Sequence, residues 1–394
     1  MELTGVELAE RVHWVGAIDW DLRFCGSYNT PRGTTYNAYL VVGDKIALVD
    51  TVKTGFEREM LERIKEIVNP VEIDYVICNH SEIDHSGAMP TLMEIAKHAK
   101  VIASRSGKAG LHKHYGTDWN SSIVKTGDEL NIGGKSLMFI EAPMLHWPDN
   151  LFVYLKEDRI LMSNDAFGQH IATRQRFEDE VGPAIMDEAK KYFAVIVSPY
   201  SSLVQKKITE LEGMKIRIDA IAPAHGAIWR DPAKIVGAYK QWSGGESDLK
   251  VTVVFDTMWG STGRMAREIA RGIGSEGVEV KAFNLRNSDL SEIMKEILDS
   301  KVIVVGSPTL NRDVYPTVGG FLAFLRGIRP QKKKAAVFGS YGWGGGATQM
   351  MTEELKRTGF DVLEDSLSVQ YVPTDDELKK CFEFGKAIAG RAKT

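Results

Sequence analysis

Apolar positions along the chain follow two different rhythms. From about residue 10 to 240 the apolar runs are short and often paired: "YNAYLVV", "IALVD", "YVICN", "SLMFIEAP", "RILMSND" and "AIAPAH". Runs of this length predict buried strands. Most of them end in a polar or metal-ligating residue. Two longer stretches between them, "FEREMLERIKEIV" and "GAMPTLMEIAKHA", carry the 3.6-residue spacing of helices. This half predicts an α/β sandwich with reactive groups at its strand ends. A polar Gly/Ser break, "WSGGESDLK" at 242–250, reads as a linker. Beyond it, strand and helix patterns alternate regularly: "KVTVVFD", "TGRMAREIARGIGSEG", "VEVKAFNL", "SEIMKEILDS", "KVIVVGSP", "VGGFLAFLRGI", "KKAAVFGS" and "ATQMMTEELKRTG". That alternation predicts a doubly wound parallel sheet with right-handed crossovers. The expected domains are 1–246 and 247–394.

The chain has 394 residues, of which 43% are hydrophobic and 26% charged, ordinary values for a globular protein of two or three domains. A net charge of -4 argues against a nucleic-acid or membrane-surface partner. No apolar run reaches the roughly 18 residues of a membrane span. The N-terminus, "MELTGVELAERVHWVG", has no basic segment followed by an apolar one, so no signal peptide is expected and a cytoplasmic location is. Cys25, Cys78 and Cys381 are far apart, which excludes a disulfide framework and a four-thiolate rubredoxin or zinc-ribbon site. No repeat or low-complexity segment interrupts the chain.

Chemistry concentrates first in "NHSEIDHSG", residues 79–87, where His80, Glu82, Asp84 and His85 crowd into a loop after an apolar strand. Three further candidates stand after strand-like runs: His146 in "EAPMLHWPDN", Asp165 in "LMSNDAFG" and His225 in "APAHGAIW". A single histidine after a strand is usually structural. A His-x-Glu-x-Asp-His cluster with three more candidates at matching strand ends is too rich in ligand atoms for a solvated loop. His13, His98, His112, His114 and His170 lack that context.

The set resembles the metallo-β-lactamase fold, whose zinc hydrolases carry His-x-His-x-Asp-His followed by distant His, Asp and His. Glu82 stands where those hydrolases have their second histidine. Three carboxylates mixed with imidazoles favour iron over zinc. That departure is the signature of the flavodiiron proteins, which this chain resembles over essentially its whole length. The resemblance implies that His80, Glu82 and His146 hold one iron, that Asp84, His85 and His225 hold the other, and that Asp165 bridges. His85 is the ligand that is swung away and replaced by water in some relatives. Tyr192 and His170 are candidates to line the pocket for a diatomic gas.

The second half carries "FDTMWGSTGRMA", a strand, a hydroxyl-rich turn and a helix start. Thr257, Met258, Trp259, Gly260, Ser261 and Thr262 therefore form a candidate site for one phosphate. An ordinary helix cap by Ser261 or Thr262 is the plainer alternative. Two later strand ends supply matching loops: Ser307, Pro308, Thr309, Leu310 and Asn311, then Ser340, Tyr341, Gly342, Trp343, Gly344 and Gly345. Loops at the carboxyl ends of parallel strands converge, and their aromatics offer a face for a flat ring. The arrangement resembles a flavodoxin, whose cofactor is FMN. The first strand-to-helix turn lacks Gly-x-Gly-x-x-Gly, which disfavours a dinucleotide.

The flavodiiron resemblance implies an oxidoreductase that reduces O2 to water or NO to N2O, with FMN relaying electrons to two irons. The chain stops at Thr394, the expected minimal two-domain form, so electrons are expected from a separate donor, a rubredoxin or a reduced deazaflavin such as coenzyme F420. The resemblance also implies a head-to-tail homodimer, or a dimer of dimers, that brings the FMN of one subunit to the irons of the other. Two rival readings are a binuclear zinc hydrolase with a flavodoxin-like appendage and an electron-transfer flavoprotein with an inactive metal domain. Glu82 opposes the first and the complete ligand set opposes the second.

Overall fold

The computed structural model describes residues 4–23 and 28–394; Cys25 lies outside them. The described chain divides into two compact units. One contains Thr30–Phe193 and Ser202–Lys240 with most of the N-terminal segment, and the other contains Ala194–Ser201 and Gln241–Thr394.

The paired apolar runs of the first half become two facing sheets. One has seven strands in the order Val6–Ala9, Val12–Trp14, Tyr39–Val42, Ile46–Val49, Tyr75–Cys78, Lys100–Ala103, Ser121–Ile123. The other has five, in the order Glu129–Asn131, Ser136–Glu141, Leu151–Leu155, Ile160–Asn164, Ala220–Pro223. Period-2 alternation sends one set of side chains between the sheets. Tyr39, Val41, Val49 and Ile77 from the first meet Phe139, Val153, Met162 and Ala222 from the second in one buried cluster. The opposite face of the first sheet is covered by helices Glu57–Lys65, Met89–Ile95 and Arg105–Tyr115, through Met60, Ile64, Leu92 and Leu111. Helix Glu57–Lys65 shows why the sequence folds this way. Met60, Leu61 and Ile64 are buried on one stripe, with Glu57 and Glu59 in the first turn and Arg63 and Lys65 in the last, complementing the helix dipole.

The second unit is a parallel sheet in the order Glu279–Asn284, Asp248–Phe255, Ser300–Leu310, Lys334–Tyr341, with Asp361–Val362 and Leu367–Gln370 pairing in parallel beyond it. This 2-1-3-4-5 order is that of flavodoxins. The polar break at 242–250 is shorter than it reads, because helix Pro232–Gly244 runs into it and strand Asp248–Phe255 starts inside it. The expected elements stop at residue 359, yet helix Asp375–Lys393, the longest among the described residues, lies beyond them. Its start was legible: Thr374 accepts from the Glu377 N–H and Glu377 reaches back to the Thr374 N–H, a capping box. It packs on helix Ser261–Ser275 at two glycines. A Cβ at Gly272 would meet the Phe382 carbonyl at 2.0 Å, and one at Gly385 would meet the Ile269 carbonyl at 2.1 Å.

No helix among the described residues is long and apolar enough to cross a membrane.

Candidate metal centre and flavin cleft

Each predicted ligand sits where a strand has just ended. Tyr75–Cys78 delivers His80, with Glu82, Asp84 and His85 around the short helix Ile83–Ser86. From the opposite sheet, Ile160–Asn164 delivers Asp165, Ala220–Pro223 delivers His225, and the loop after Ser136–Glu141 delivers His146. The fold brings all seven together as two groups: His80, Glu82, His146 and Asp165, then Asp84, His85 and His225. Within each group one donor atom per residue lies within 4.8 Å of the others.

Asp165 belongs to both neighbourhoods. Its Oδ2 lies 3.6 Å from His80 Nε2 and 3.5 Å from His146 Nε2. Its Oδ1 lies 3.2 Å from His85 Nε2 and 3.3 Å from His225 Nε2. Glu82 Oε2 closes the first group, 3.1 Å from His80 Nε2 and 3.5 Å from His146 Nε2. Asp84 closes the second, 3.4 Å from His85 Nε2 and 3.3 Å from His225 Nε2. His85 is turned into the cluster rather than away from it.

Electrostatics fit this donor set to cations. Burial opposes charge on the imidazoles, yet hydrogen bonds to Asp149 and Glu82 push His80 up to about 10. Asp84 and Asp165 likewise carry His85 to about 10, and Asp165 and Asp84 carry His225 to about 9, each against burial. Burial opposes charge on Asp165 and Asp84 too, but the neighbouring imidazoles hold both carboxylates below their usual range. The carboxylates thus draw positive charge into a buried site. Asp165 Oδ2, Asp84 Oδ1 and both ring nitrogens of His85 are buried with no hydrogen-bond partner. Buried polar atoms seldom stay unpaired, and two cations would satisfy Asp165 Oδ2, Asp84 Oδ1 and His85 Nε2. Carboxylates mixed with imidazoles suit iron.

Supporting groups lie behind the ligands, and the sequence reading missed most of them. Asp149, buried, accepts from His80 Nδ1 at 3.0 Å and from the Ser81 N–H and hydroxyl, both at 2.7 Å. Burial opposes its charge, but the contacts with His80 and Ser81 together hold its carboxyl at about 2. His225 Nδ1 donates to the Thr35 carbonyl at 2.8 Å. Asp50 accepts from the Asn79 N–H at 2.7 Å and the Asn164 amide at 3.2 Å. It thereby ties together the residues just before His80 and Asp165, on opposite sheets. Asp50 and Asn164 both hold positive φ, 58° and 50°. The signal for Asp149 was adjacency, since it sits in the same "HWPDN" as His146; Asp50 ends the strand "IALVD".

Tyr192 and His170 lie beside the cluster, against Asp165 and His225. Both are buried. Tyr192 donates to Asp165 Oδ1 at 3.0 Å. His170 meets Thr34 Oγ1 at 2.8 Å and packs its ring 4.7 Å from that of His225. Burial, then the His225 charge, keeps His170 neutral, well below the ordinary imidazole range. The open side of the cluster is formed by Glu82 and His146, whose side chains are 37% and 17% exposed, with Trp147 packed edge-on against His80.

In the second unit the three loops converge on a cleft of about 840 Å3. Thr257, Met258, Trp259, Ser261, Pro308, Thr309, Leu310, Asn311, Ser340, Tyr341, Gly342, Trp343 and Gly344 line it as expected. Gly260, Thr262, Ser307 and Gly345 do not. Gly260 supplies the left-handed turn, φ 93°, from which helix Ser261–Ser275 starts. Thr262 is buried with its hydroxyl 2.8 Å from that of Ser340, and Ser307 donates to the Pro308 carbonyl. Arg312, Tyr371 and Val372 also line the cleft and were missed. Asn311 and Arg312 form a two-residue turn, both with positive φ, between Leu310 and Asp313. Tyr371 and Val372 follow the strand Leu367–Gln370, which the pattern did not reveal.

The cleft suits a flavin monophosphate. No side chain caps helix Ser261–Ser275, so its first N–H groups remain available to a phosphate. The Thr257 backbone there is held by Asp256, which accepts from the Thr257 N–H and pairs with Arg286 Nε at 3.2 Å. Trp259 and Trp343 stand 91% and 94% exposed, open faces for a flat ring.

A seven-residue metal cluster on a β-lactamase-like sandwich, followed by a flavodoxin-type cleft, defines a redox enzyme with two cofactor stations in one chain. Comparison with known proteins agrees. Residues 34–226 match the family described as ODP family beta lactamase, and residues 253–385 match flavodoxin. The chain is 46% identical to a nitric oxide reductase of Moorella thermoacetica over 98% of both chains. It is also 46% identical to a coenzyme F420H2 oxidase of Methanothermobacter marburgensis over 100% of both. The rubredoxin oxygen:oxidoreductase of Desulfovibrio gigas superposes with a TM-score of 0.96 at 37% identity, over 99% of each chain. The chain belongs to the flavodiiron proteins.

Proposed function

We propose that this flavodiiron protein binds one iron through His80, Glu82 and His146 and the other through Asp84, His85 and His225, with Asp165 shared, and binds FMN in the cleft at 257–261, 308–312 and 340–344. The observation that carries the reading is Asp165, one oxygen of which faces each imidazole pair. The enzyme reduces O2 to water or NO to N2O; the names of two relatives carry nitric oxide and oxygen as the substrates of those proteins. When bound, the irons supply adjacent one-electron reductants and FMN supplies a relay from the external donor.

The chain's own residues prepare that chemistry. Tyr192, donating to Asp165 Oδ1, fixes the plane of the shared carboxylate. Asp149 and the Thr35 carbonyl set the tautomers of His80 and His225, so that each presents Nε2 inward. Gas enters past Glu82, His146 and Trp147, the open side. Buried Tyr192 and His170 close the opposite side to water. Electrons come from a rubredoxin or a reduced deazaflavin, the donors that the names of two relatives carry. We place the enzyme in the cytoplasm as a head-to-tail homodimer or a dimer of dimers, with the domain boundary near 246.

The test is metal and flavin analysis of purified protein, followed by O2 uptake and N2O release from the anaerobically reduced enzyme at matched gas concentrations. Two irons and one FMN per chain are expected. Mostly zinc after iron-replete expression, or FAD on extraction, overturns the reading and revives the hydrolase.

A further inference from the structure

The two metal positions are matched in their direct donors. Each receives two imidazoles and two carboxylates, counting Asp165 for both. They differ in what stands behind the imidazoles. Of the three fully buried ligand histidines, only His80 has a carboxylate there, Asp149 Oδ1 at 3.0 Å from Nδ1. His225 Nδ1 meets the neutral Thr35 carbonyl at 2.8 Å, and His85 Nδ1 has no partner. His146, the fourth, lies on the open side.

Asp149 is held firmly in this role. It is 3% exposed, and its Oδ2 accepts from both the Ser81 N–H and the Ser81 hydroxyl at 2.7 Å. Ser104 donates to its backbone carbonyl at 2.9 Å. A carboxylate hydrogen-bonded to a metal-bound imidazole raises the ligand's basicity and favours the more highly charged metal. Screening is weak because the pair is out of water.

Resting on the diiron assignment above, we propose that Asp149, acting through His80, makes the two positions unequal, so that the iron on His80, Glu82 and His146 is the last of the pair to be reduced. Two electrons from reduced FMN would arrive one at a time. Asp84, His85 and His225 would hold the iron that accepts the first, and His80, Glu82 and His146, backed by Asp149, the iron that accepts the second. Asp149 is thus a positioning residue that sets the order of reduction, one shell removed from the gas.

The test is a redox titration of the holoprotein, with the iron signals followed by low-temperature EPR and the flavin by visible absorbance. In wild type the irons reduce in two separate one-electron steps. Asp149→Asn keeps the shape and removes the charge. Its lower iron step is expected to rise by about 59 mV or more, a tenfold fall in the comproportionation constant, while the upper step stays. The peak mixed-valence signal falls accordingly. Unmoved flavin steps in the same sample show that the fold is intact. Ser81→Ala leaves the carboxylate but removes one of its donors, which strengthens its bond to His80, so the lower step is expected to fall. The proposal is overturned if the lower step stays put in Asp149→Asn, if both steps move equally, or if Ser81→Ala raises the lower step. Wild type lacking two iron steps defeats the diiron assignment itself, a result distinct from the others.

Discussion

The two cofactor stations are built by opposite means. The candidate metal cluster is made of side chains: seven proposed ligands, mostly buried, with carboxylates and imidazoles within hydrogen-bonding reach of one another. The flavin cleft offers the backbone of a helix start and open aromatic faces beside short polar side chains. Its helix start is uncapped and its tryptophans stand in solvent. The second unit also buries charge at both ends of its first strand: Lys250 pairs with Glu296 and Asp299 near the start, and Asp256 pairs with Arg286 at the cleft end. A side-chain site is therefore fragile to single substitutions, and a backbone site tolerates them.

The largest effect expected from that contrast is at Asp165. Asp165→Ala leaves four imidazoles facing one another without their shared anion. Breaking a buried charge set costs about 3–5 kcal/mol, roughly two to four orders of magnitude in metal affinity. Elemental analysis should find both irons lost and FMN retained. Full iron content would mean that Asp165 does not bridge.

Within the cleft the largest single-residue effect belongs to Ser261, the one phosphate-loop hydroxyl that lines it at the helix start. Ser261→Ala should weaken FMN by about 1.5–3 kcal/mol, ten- to a hundredfold by fluorescence titration, with iron unchanged. Thr262→Ala should act differently. Its hydroxyl is buried against Ser340, so it should lower the melting temperature of this unit more than its flavin affinity. Equal effects of the two on FMN affinity would mean that the loop repacks around the phosphate.

Trp343→Ala comes next. The indole is 94% exposed, so folding stability should shift by no more than about 0.5 kcal/mol. Any loss of flavin binding is then stacking, about 0.5–1.5 kcal/mol. A loss beyond tenfold would show that this indole does more for the flavin than stack on it.

The gentlest test is pH. Burial opposes both charges, but the mutual hydrogen bonds raise Lys250 and lower Glu296. The Glu296 contribution is present above its unfolded value of 4.5 and fades as pH falls through the depressed one. That of Lys250 is present below 10.5 and fades as pH rises through the elevated one. Stability of the flavin unit should be flat between these limits and decline outside them. Lys250→Met should remove the alkaline decline; an unchanged alkaline limb assigns it elsewhere.

The contrast also explains what could be read from sequence. His80, Glu82, Asp84 and His85 announce themselves because chemistry is written in side chains, and strand-end context brought in His146, Asp165 and His225. The regular alternation after residue 250 gave the parallel sheet for the same reason, since periodicity is a side-chain property. Arg312 was hidden because what places it is a pair of left-handed residues rather than a motif. Tyr371 and Val372 were hidden because Leu367–Gln370 is half exposed and carries little apolar signal. Asp149 and Asp50 were hidden because a supporting carboxylate looks like any turn residue until its partner is known. Thr262 reads as a phosphate hydroxyl and proves to be core, since sequence does not say which way the first helical turn faces.

The Asp50 clamp has a consequence for biosynthesis. It joins the residue before His80 to the residue before Asp165, and the ligand set closes only with His225, so the site spans both sheets. A chain emerging from the ribosome cannot complete it until strand Ala220–Pro223 and the loop behind it are out. By then the flavin unit's own sheet, beginning at Asp248, is still to be made. At roughly 5–20 residues per second, several seconds separate the two events. Iron can therefore be acquired by the nascent chain before the flavin site exists, and FMN can arrive only once the chain as far as Val372 is out.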